Sequence, residues 1–139
     1  FMTDAISIMI EGGAKVRTQN ISTWLDTGTI EATLDTNKVL LEKSGQVDKY
    51  TGRQVTVIEP SAIHPSAVIV NSTIGPFASI GANCKIENSQ VSDSIIEPDC
   101  EIKDAALNHS LIGKQAKIKG RGDGHVMQLN IGDTSSVEL

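Results

Sequence analysis

Three histidines, His64, His109 and His125, are the candidates in this sequence for a general base, an imidazole able to take a proton from a hydroxyl or amine. His64 and His109 fall on a repeat, described below, that sets them at or near corners facing solvent. His125 belongs to Lys119-Gly120-Arg121-Gly122-Asp123-Gly124-His125, a polar stretch that reads as a loop. The plain reading of each is a surface histidine. Cys84 and Cys100 would be a redox pair or metal ligands in the sharper reading, but no zinc-type Cys/His cluster accompanies them. Lys114, Lys117, Lys119 and Arg121 could bind an anion, although such a run is more often a solvated face. Trp24-Leu25-Asp26-Thr27-Gly28-Thr29, taken alone, is a turn followed by a threonine-capped helix.

Composition limits what these residues can belong to. The chain has 139 residues, 12 Lys and Arg against 17 Asp and Glu, a net charge of −5 and 39% apolar residues. That is about one domain of acidic chain, a poor match to a phosphate backbone, so no nucleic-acid partner is expected. No apolar run approaches the roughly 20 residues that span a bilayer, so no membrane partner is expected either. Phe1-Met2-Thr3-Asp4-Ala5 lacks the positive start of a signal peptide, which makes the expected setting cytoplasmic. Two cysteines are too few for a disulfide framework. Aromatic residues make up only 3%, while glycine reaches 12 residues. A core without large rings must bury many small and aliphatic side chains in a narrow interior, which suggests a repeat.

The repeat is present. Ile74-Gly75-Pro76-Phe77-Ala78-Ser79 is followed at once by Ile80-Gly81-Ala82-Asn83-Cys84-Lys85, and Ile96-Glu97-Pro98-Asp99-Cys100-Glu101 and Ile112-Gly113-Lys114-Gln115-Ala116-Lys117 share the form. Extended, the register gives twelve aliphatic leading positions five or six residues apart, from Val57 to Ile118. Taken in threes they fall on three faces: Val57/Ile74/Val91/Leu107, Ile63/Ile80/Ile96/Ile112 and Ile69/Ile86/Ile102/Ile118. Each turn takes 16 or 17 residues, so equivalent residues stack at roughly the 4.8 Å spacing of adjacent strands. A three-sided prism of short parallel strands follows. Ala67, Cys84, Cys100 and Ala116 form one inward column in it, which makes the cysteines small packed hydrophobes. Pro65, Pro76 and Pro98, with Asn71, Asn88 and Asp104, occupy the corners.

These residues resemble the hexapeptide repeat of left-handed parallel β-helices, and the resemblance supplies the left-handed sense. Many hexapeptide-repeat proteins are acyltransferases with a catalytic histidine at a cleft between subunits. That resemblance makes His64, His109 and His125 alternative candidates, and it implies self-association, with a trimer favoured. A purely structural assembly module is a further alternative.

The first third lacks the repeat. Thr3-Asp4 can cap a helix bearing Ile6, Met9 and Ile10, stopped by Gly12-Gly13. Residues 14–18 read as a short strand. Thr29 can cap a second helix over about residues 30–43, with Ile30, Leu34 and Leu41 on one side and Gly45 as terminator. Three segments result: a helix–strand–turn–helix unit over 1–45, a linker over 46–56 and the β-helix over 57–139.

The Thr3-Asp4-Ala5-Ile6 start, the WLDTGT stretch at Trp24–Thr29, Ala32, Asn37 and Leu40-Leu41 together resemble the closing section of sugar-1-phosphate nucleotidylyltransferases. The similarity is to glucose-1-phosphate thymidylyltransferase-like proteins with a C-terminal hexapeptide-repeat domain, and the ending Leu129-Asn130-Ile131-Gly132-Asp133-Thr134-Ser135-Ser136 extends it along nearly the whole chain. The fold this implies is mostly β: a left-handed parallel β-helix preceded by a short α/β remnant of a nucleotidyltransferase domain. The implied reaction joins a nucleoside triphosphate, here deoxythymidine triphosphate, to glucose 1-phosphate and releases pyrophosphate. The resemblance makes Asp26 one of two magnesium-binding aspartates, with Trp24, Thr27 and Gly28 supporting its placement. The second aspartate and the family's glycine-rich nucleotide loop have no counterpart here. The chain alone is therefore expected to be inactive, to hold no cofactor and to leave residues 1–44 without the sheet they would pack against.

Overall fold

A computed structural model describes residues 1–44 and 50–139. Two helices come first, α1 at Met2–Glu11 and α2 at Ile30–Ser44, and everything after is strand and corner. Gly45 and positions 46–49 of the expected linker lie outside the described residues.

The strands wind as a coil. The first turn holds β1 (Arg53–Val57), β2 (Ala62–Ile63) and β3 (Val68–Ile74). The next holds β4 (Ala78–Ile80), β5 (Lys85–Glu87) and β6 (Gln90–Ser92). A third holds β7 (Ser94–Ile96), β8 (Glu101–Lys103) and β9 (Ala106–Asn108). Then come β10 (Leu111–Ile112), β11 (Lys117–Lys119) and β12 (Val126–Met127), and finally β13 (Asn130–Ile131) and β14 (Ser136–Glu138). The first strand thus begins inside the stretch read from sequence as linker.

Every strand pairing is parallel, and the pairing repeats the aliphatic ladder residue for residue. Ile63, Ile80, Ile96, Ile112 and Ile131 are partners on one face. Ile69, Ile86, Ile102, Ile118 and Val137 are partners on the second. Val57, Ile74, Val91, Leu107 and Met127 are partners on the third. This is a β-solenoid, consistent with a left-handed parallel β-helix. Its last turn is longer: Leu111 meets Asn130 at a separation of 19 residues, where the coils below repeat at 16 or 17. The loop that carries Arg121 and His125 accounts for the extra length.

Stacking explains why so lean a core holds. Ile69, Ile74, Ile86, Ile96, Ile102, Leu107, Ile112 and Ile118 are each no more than 2% exposed. Burying one such side chain stabilises the fold by about 1.5–3 kcal/mol, and all but Ile69 lie between paired apolar neighbours above and below. Buried serines complete the interior. The hydroxyls of Ser89, Ser94 and Ser110 donate to carbonyls two residues back and accept backbone N–H groups from the next coil, so each of these buried hydroxyls is satisfied.

The corners need backbone turned into the left-handed region. Asn71, Asn88 and Asp104 take φ of 46°, 49° and 52° in one column, and Phe77, Asp93 and His109 take 59°, 45° and 53° in another. Asn and Asp tolerate this conformation because their short side chains bond locally. Here they also bond along the column: Asn71 donates to Asn88 at 2.9 Å, and Asn88 donates to Asp104 at 2.9 Å.

Ahead of the solenoid the picture differs. α1 buries no residue. No strand forms over residues 14–18, because an extended segment with no neighbouring strand has no ladder to join. α2 is held: Leu34 is fully buried, Leu41 is 6% exposed, and the helix packs against β7. Ile30, expected on the same side, stays exposed.

Candidate functional site

The WLDTGT turn stands at the N-terminus of α2. Thr29 caps the helix, its hydroxyl accepting the Ala32 N–H at 3.1 Å. Asp26 folds the turn on itself: its Oδ1 accepts the Gly28 N–H at 2.9 Å. Two threonines of α2 then tie the turn to the helix. Thr36 Oγ1 donates to the Asp26 carbonyl at 2.7 Å, and Thr33 Oγ1 donates to the Thr27 carbonyl at 3.2 Å. The Asp26 carboxylate is exposed, and so is Trp24.

An exposed carboxylate is a hard oxygen ligand, the kind magnesium takes from proteins one or two at a time alongside substrate phosphates. Asp26 fits that part. It does not make an ion site by itself, since among the described residues no group of three or more His, Cys, Asp or Glu side chains is arranged to hold a metal ion.

The histidines have separate fates. His64 Nδ1 lies 2.8 Å from Ser66 Oγ and accepts the Ser66 N–H at 3.2 Å, a local turn. His125 is exposed beside a groove of about 670 Å³ whose lining includes Asn88, Asp104, Arg121 and Met127. His109 sits on the Phe77–Asp93 corner column and has carboxylates on both ring nitrogens: Asp93 Oδ2 is 2.8 Å from Nδ1, and Glu31 Oε2 is 2.9 Å from Nε2. Those bonds, to Asp93 first and Glu31 second, hold its pKa above the ordinary imidazole value. A ring engaged at both nitrogens is not a free base. The three histidines do not converge on one site.

Cys84 and Cys100 are fully buried in the small inward column, with Ala116 above them. Their Sγ atoms lie 3.1 Å and 3.0 Å from the carbonyls of Glu97 and Gly113. The hydrogen bond with Cys84, and then burial, push the Cys100 thiol well up from its usual range. Of the basic run, Lys117 lies 3.7 Å from Glu101 and Lys119 pairs with Glu138, so these two lysines are engaged by carboxylates on neighbouring strands of the β8–β11–β14 face.

Sequence reasoning missed the junction of α2 with the solenoid. Asn37 spans it, donating to the Phe77 carbonyl at 3.3 Å and accepting from Ser79 Oγ at 2.6 Å. Lys38 Nζ reaches Asp93 Oδ2 at 3.0 Å, and that bond raises the lysine's pKa. The i, i+3, i+4, i+7 spacing of Leu34, Asn37, Lys38 and Leu41 marked one helix face, but nothing in the sequence named the surface it meets.

The molecule is thus of a definite class: a parallel β-helix with a capped helix and carboxylate turn fastened to its flank. No family model matches the chain. It is 29% identical over 99% of its length to a glucose-1-phosphate thymidylyltransferase of Streptomyces griseus, and 30% identical over 99% to one of Streptomyces antibioticus. It is 28% identical, again over 99%, to the low-salt glycan biosynthesis nucleotidyltransferase Agl11 of Haloferax volcanii. The chain spans 45% of the length of each of these relatives. The resemblance read from the WLDTGT turn and the hexapeptide repeat therefore holds: the chain is related to nucleotidyltransferases and matches a C-terminal, β-helix-bearing part of such a protein. No helix among the described residues is long and apolar enough to cross a membrane.

Proposed function

We propose that this chain works as part of a cytoplasmic nucleotidyltransferase that joins deoxythymidine triphosphate to glucose 1-phosphate and releases pyrophosphate. In that reaction a sugar phosphate oxygen attacks the α-phosphorus, and catalysis is mainly positioning and charge neutralisation. The Asp26 carboxylate would contribute one ligand to magnesium, which would neutralise phosphate charge when bound. In the same reading Trp24, Thr27 and Gly28 would support the placement of that carboxylate.

One observation carries the reading: the WLDTGT turn leads directly into a helix docked on a parallel β-helix, in a chain similar along 99% of its length to two glucose-1-phosphate thymidylyltransferases. The surface ahead of α2 agrees with it. Ile8, Met9, Ile10, Val16, Ile21 and Trp24 are all more than half exposed, an apolar surface of the kind that soluble chains cover with a partner. In this reading the partner is the nucleotide-binding sheet of the same enzyme.

The test is pyrophosphate release from deoxythymidine triphosphate and glucose 1-phosphate. The chain alone is expected to release none, and the chain extended by its upstream coding sequence is expected to turn over with magnesium. An extended protein that turns over no pair of nucleotide and sugar phosphate would refute the reading. The solenoid, in the same proposal, assembles subunits as a homotrimer. Sedimentation showing a monomer at high concentration would count against that part.

A further inference from the structure

A cluster of titratable side chains, separate from the Asp26 carboxylate, occupies the corner where α2 meets the solenoid. The solenoid contributes Asp93 and His109, stacked one coil apart. α2 contributes Glu31 and Lys38, with Asp35 at 3.7 Å from Lys38 on the outer side. Asp93 Oδ2 takes both the imidazole, at 2.8 Å, and the lysine, at 3.0 Å. Asp93 Oδ1 is buried without a hydrogen-bond partner, so the carboxylate depends on those two cations.

The hydrogen-bond inventory fixes what the ring must be. Ionised carboxylates only accept, and a neutral imidazole has one donor and one acceptor nitrogen. A ring held at 2.8 Å and 2.9 Å by two carboxylates satisfies both only by donating from both nitrogens, as an imidazolium. A neutral ring would turn a lone pair toward one carboxylate. The Glu31 contact is the one that crosses to the helix.

We propose that His109 is a positioning residue, an imidazolium held between Asp93 and Glu31 that fastens the N-terminal half of α2, and with it the Asp26 turn, to the solenoid. The turn follows the helix because Thr33 and Thr36 bond it at the Thr27 and Asp26 carbonyls. The fastening stands on this geometry; its consequence for phosphate chemistry at Asp26 rests on the function proposed above.

The sign of the pH dependence follows from the partners. Docking raises the imidazole pKa above its ordinary 6.5, through Asp93 first and Glu31 second. The fastening is therefore complete below about pH 6.5 and is lost as pH rises through the higher, docked value. Lys38 remains charged over that range and keeps its own contact, so the helix loosens at the Glu31 end.

Hydrogen exchange of the 139-residue chain, corrected for intrinsic rates, tests this. Protection of the 30–38 amides and of the Gly28 amide is expected to fall about tenfold between roughly pH 6 and pH 9, the scale of one charge-assisted hydrogen bond. Strand amides of β5 and β8 should hold steady and report that the solenoid stays folded. In His109→Gln the same amides should show low protection at every pH. Glu31→Gln, which leaves the Asp93–His109 pair intact, should flatten the profile as well. A wild-type profile that does not change with pH, or a His109→Gln profile that still falls as wild type does, overturns the proposal. No nucleotide or sugar phosphate enters this measurement, so its failure leaves the nucleotidyltransferase reading untouched, and a lack of pyrophosphate release leaves the fastening untouched.

Discussion

His109 Nδ1 lies 2.8 Å from Asp93 Oδ2, and the two residues are 16 positions apart on one corner of the solenoid. A coil that repeats at this period brings distant residues into register at every corner, so a single polar column can serve as a mount for an outside element. Here the element is α2. The same carboxylate oxygen of Asp93 also takes Lys38 from the helix at 3.0 Å, which puts the aspartate at the centre of the junction.

Removing that centre should have a specific signature. In Asp93→Asn the imidazole loses the first of the two bonds that raise its pKa, and an NMR titration should find the His109 value moved down toward the ordinary range. Loss of a hydrogen bond between charged groups costs about 1.5–3 kcal/mol. That loss falls on the docking of α2, so proteolysis within residues 30–44 should speed up while the solenoid resists. An unchanged His109 titration would show that Glu31 alone sets it.

Ile96 tests the ladder. It pairs with Ile80 below and Ile112 above and is 1% exposed. Ile96→Ala opens a hole at mid-stack, between strands whose pairing holds Ile80 and Ile112 in their own places. The expected cost is about 2–5 kcal/mol, read as a lower denaturant midpoint with unchanged slope. Val57→Ala, half-buried at the first coil, should cost much less.

The solenoid was legible because its rule is a single spacing. Twelve aliphatic positions five or six residues apart leave one way to stack, and the strands pair in that register. The extension through Met127, Ile131 and Val137 was not read, because the loop at Arg121–His125 shifts the separation to 19 and breaks the period. The buried serines were also missed, since a polar residue inside a repeat looks outward until its partners are known. The Asp26 turn was found by motif, yet the Glu31–His109–Asp93–Lys38 junction was not. It joins residues as many as 78 positions apart, and no local pattern encodes which face of a solenoid a preceding helix will lie on. Residues 14–18 had the composition of a strand but no neighbour to pair with.

Ser94 offers a sharper test of the interior. It is fully buried; its hydroxyl donates to the Ser92 carbonyl at 2.6 Å and accepts the Ser110 N–H at 3.0 Å. Ser94→Ala removes the acceptor and leaves a buried N–H unpaired, at a cost of about 1–3 kcal/mol. Ala78 fills the same place one coil earlier, so the fold itself should survive. Hydrogen exchange should show the loss centred on the Ser110 amide.

Two glycines at the same place in the repeat should respond oppositely. A Cβ on Gly113 would sit 2.5 Å from the Asp133 nitrogen of the next coil, closer than packed backbone allows. On Gly132, in the final coil, it would meet nothing within 4 Å. Gly113→Ala is expected to lower stability by about 1–3 kcal/mol through forced separation of the coils. Gly132→Ala should be neutral in the same denaturant titration, and a matching loss would show that the glycines serve the turn and not the close approach.

Asp26 separates structure from chemistry. Its Oδ1 accepts one exposed N–H, from Gly28, and its carbonyl accepts from Thr36, so a change of side chain touches only the first bond. Asp26→Asn keeps an oxygen for Gly28 but removes the charge. In the 139-residue chain it should shift the denaturation midpoint by less than about 0.5 kcal/mol, as exposed sites do. In the extended protein it should cut magnesium-dependent pyrophosphate release by about a hundredfold or more, the scale of losing a preorganised charge at a phosphoryl centre. Thr36→Val is the complementary variant: it leaves the carboxylate in place and removes the shorter of the two threonine bonds that tie the turn to the helix. A turnover that follows Thr36→Val and ignores Asp26→Asn would mean that the turn shapes the site without holding the ion.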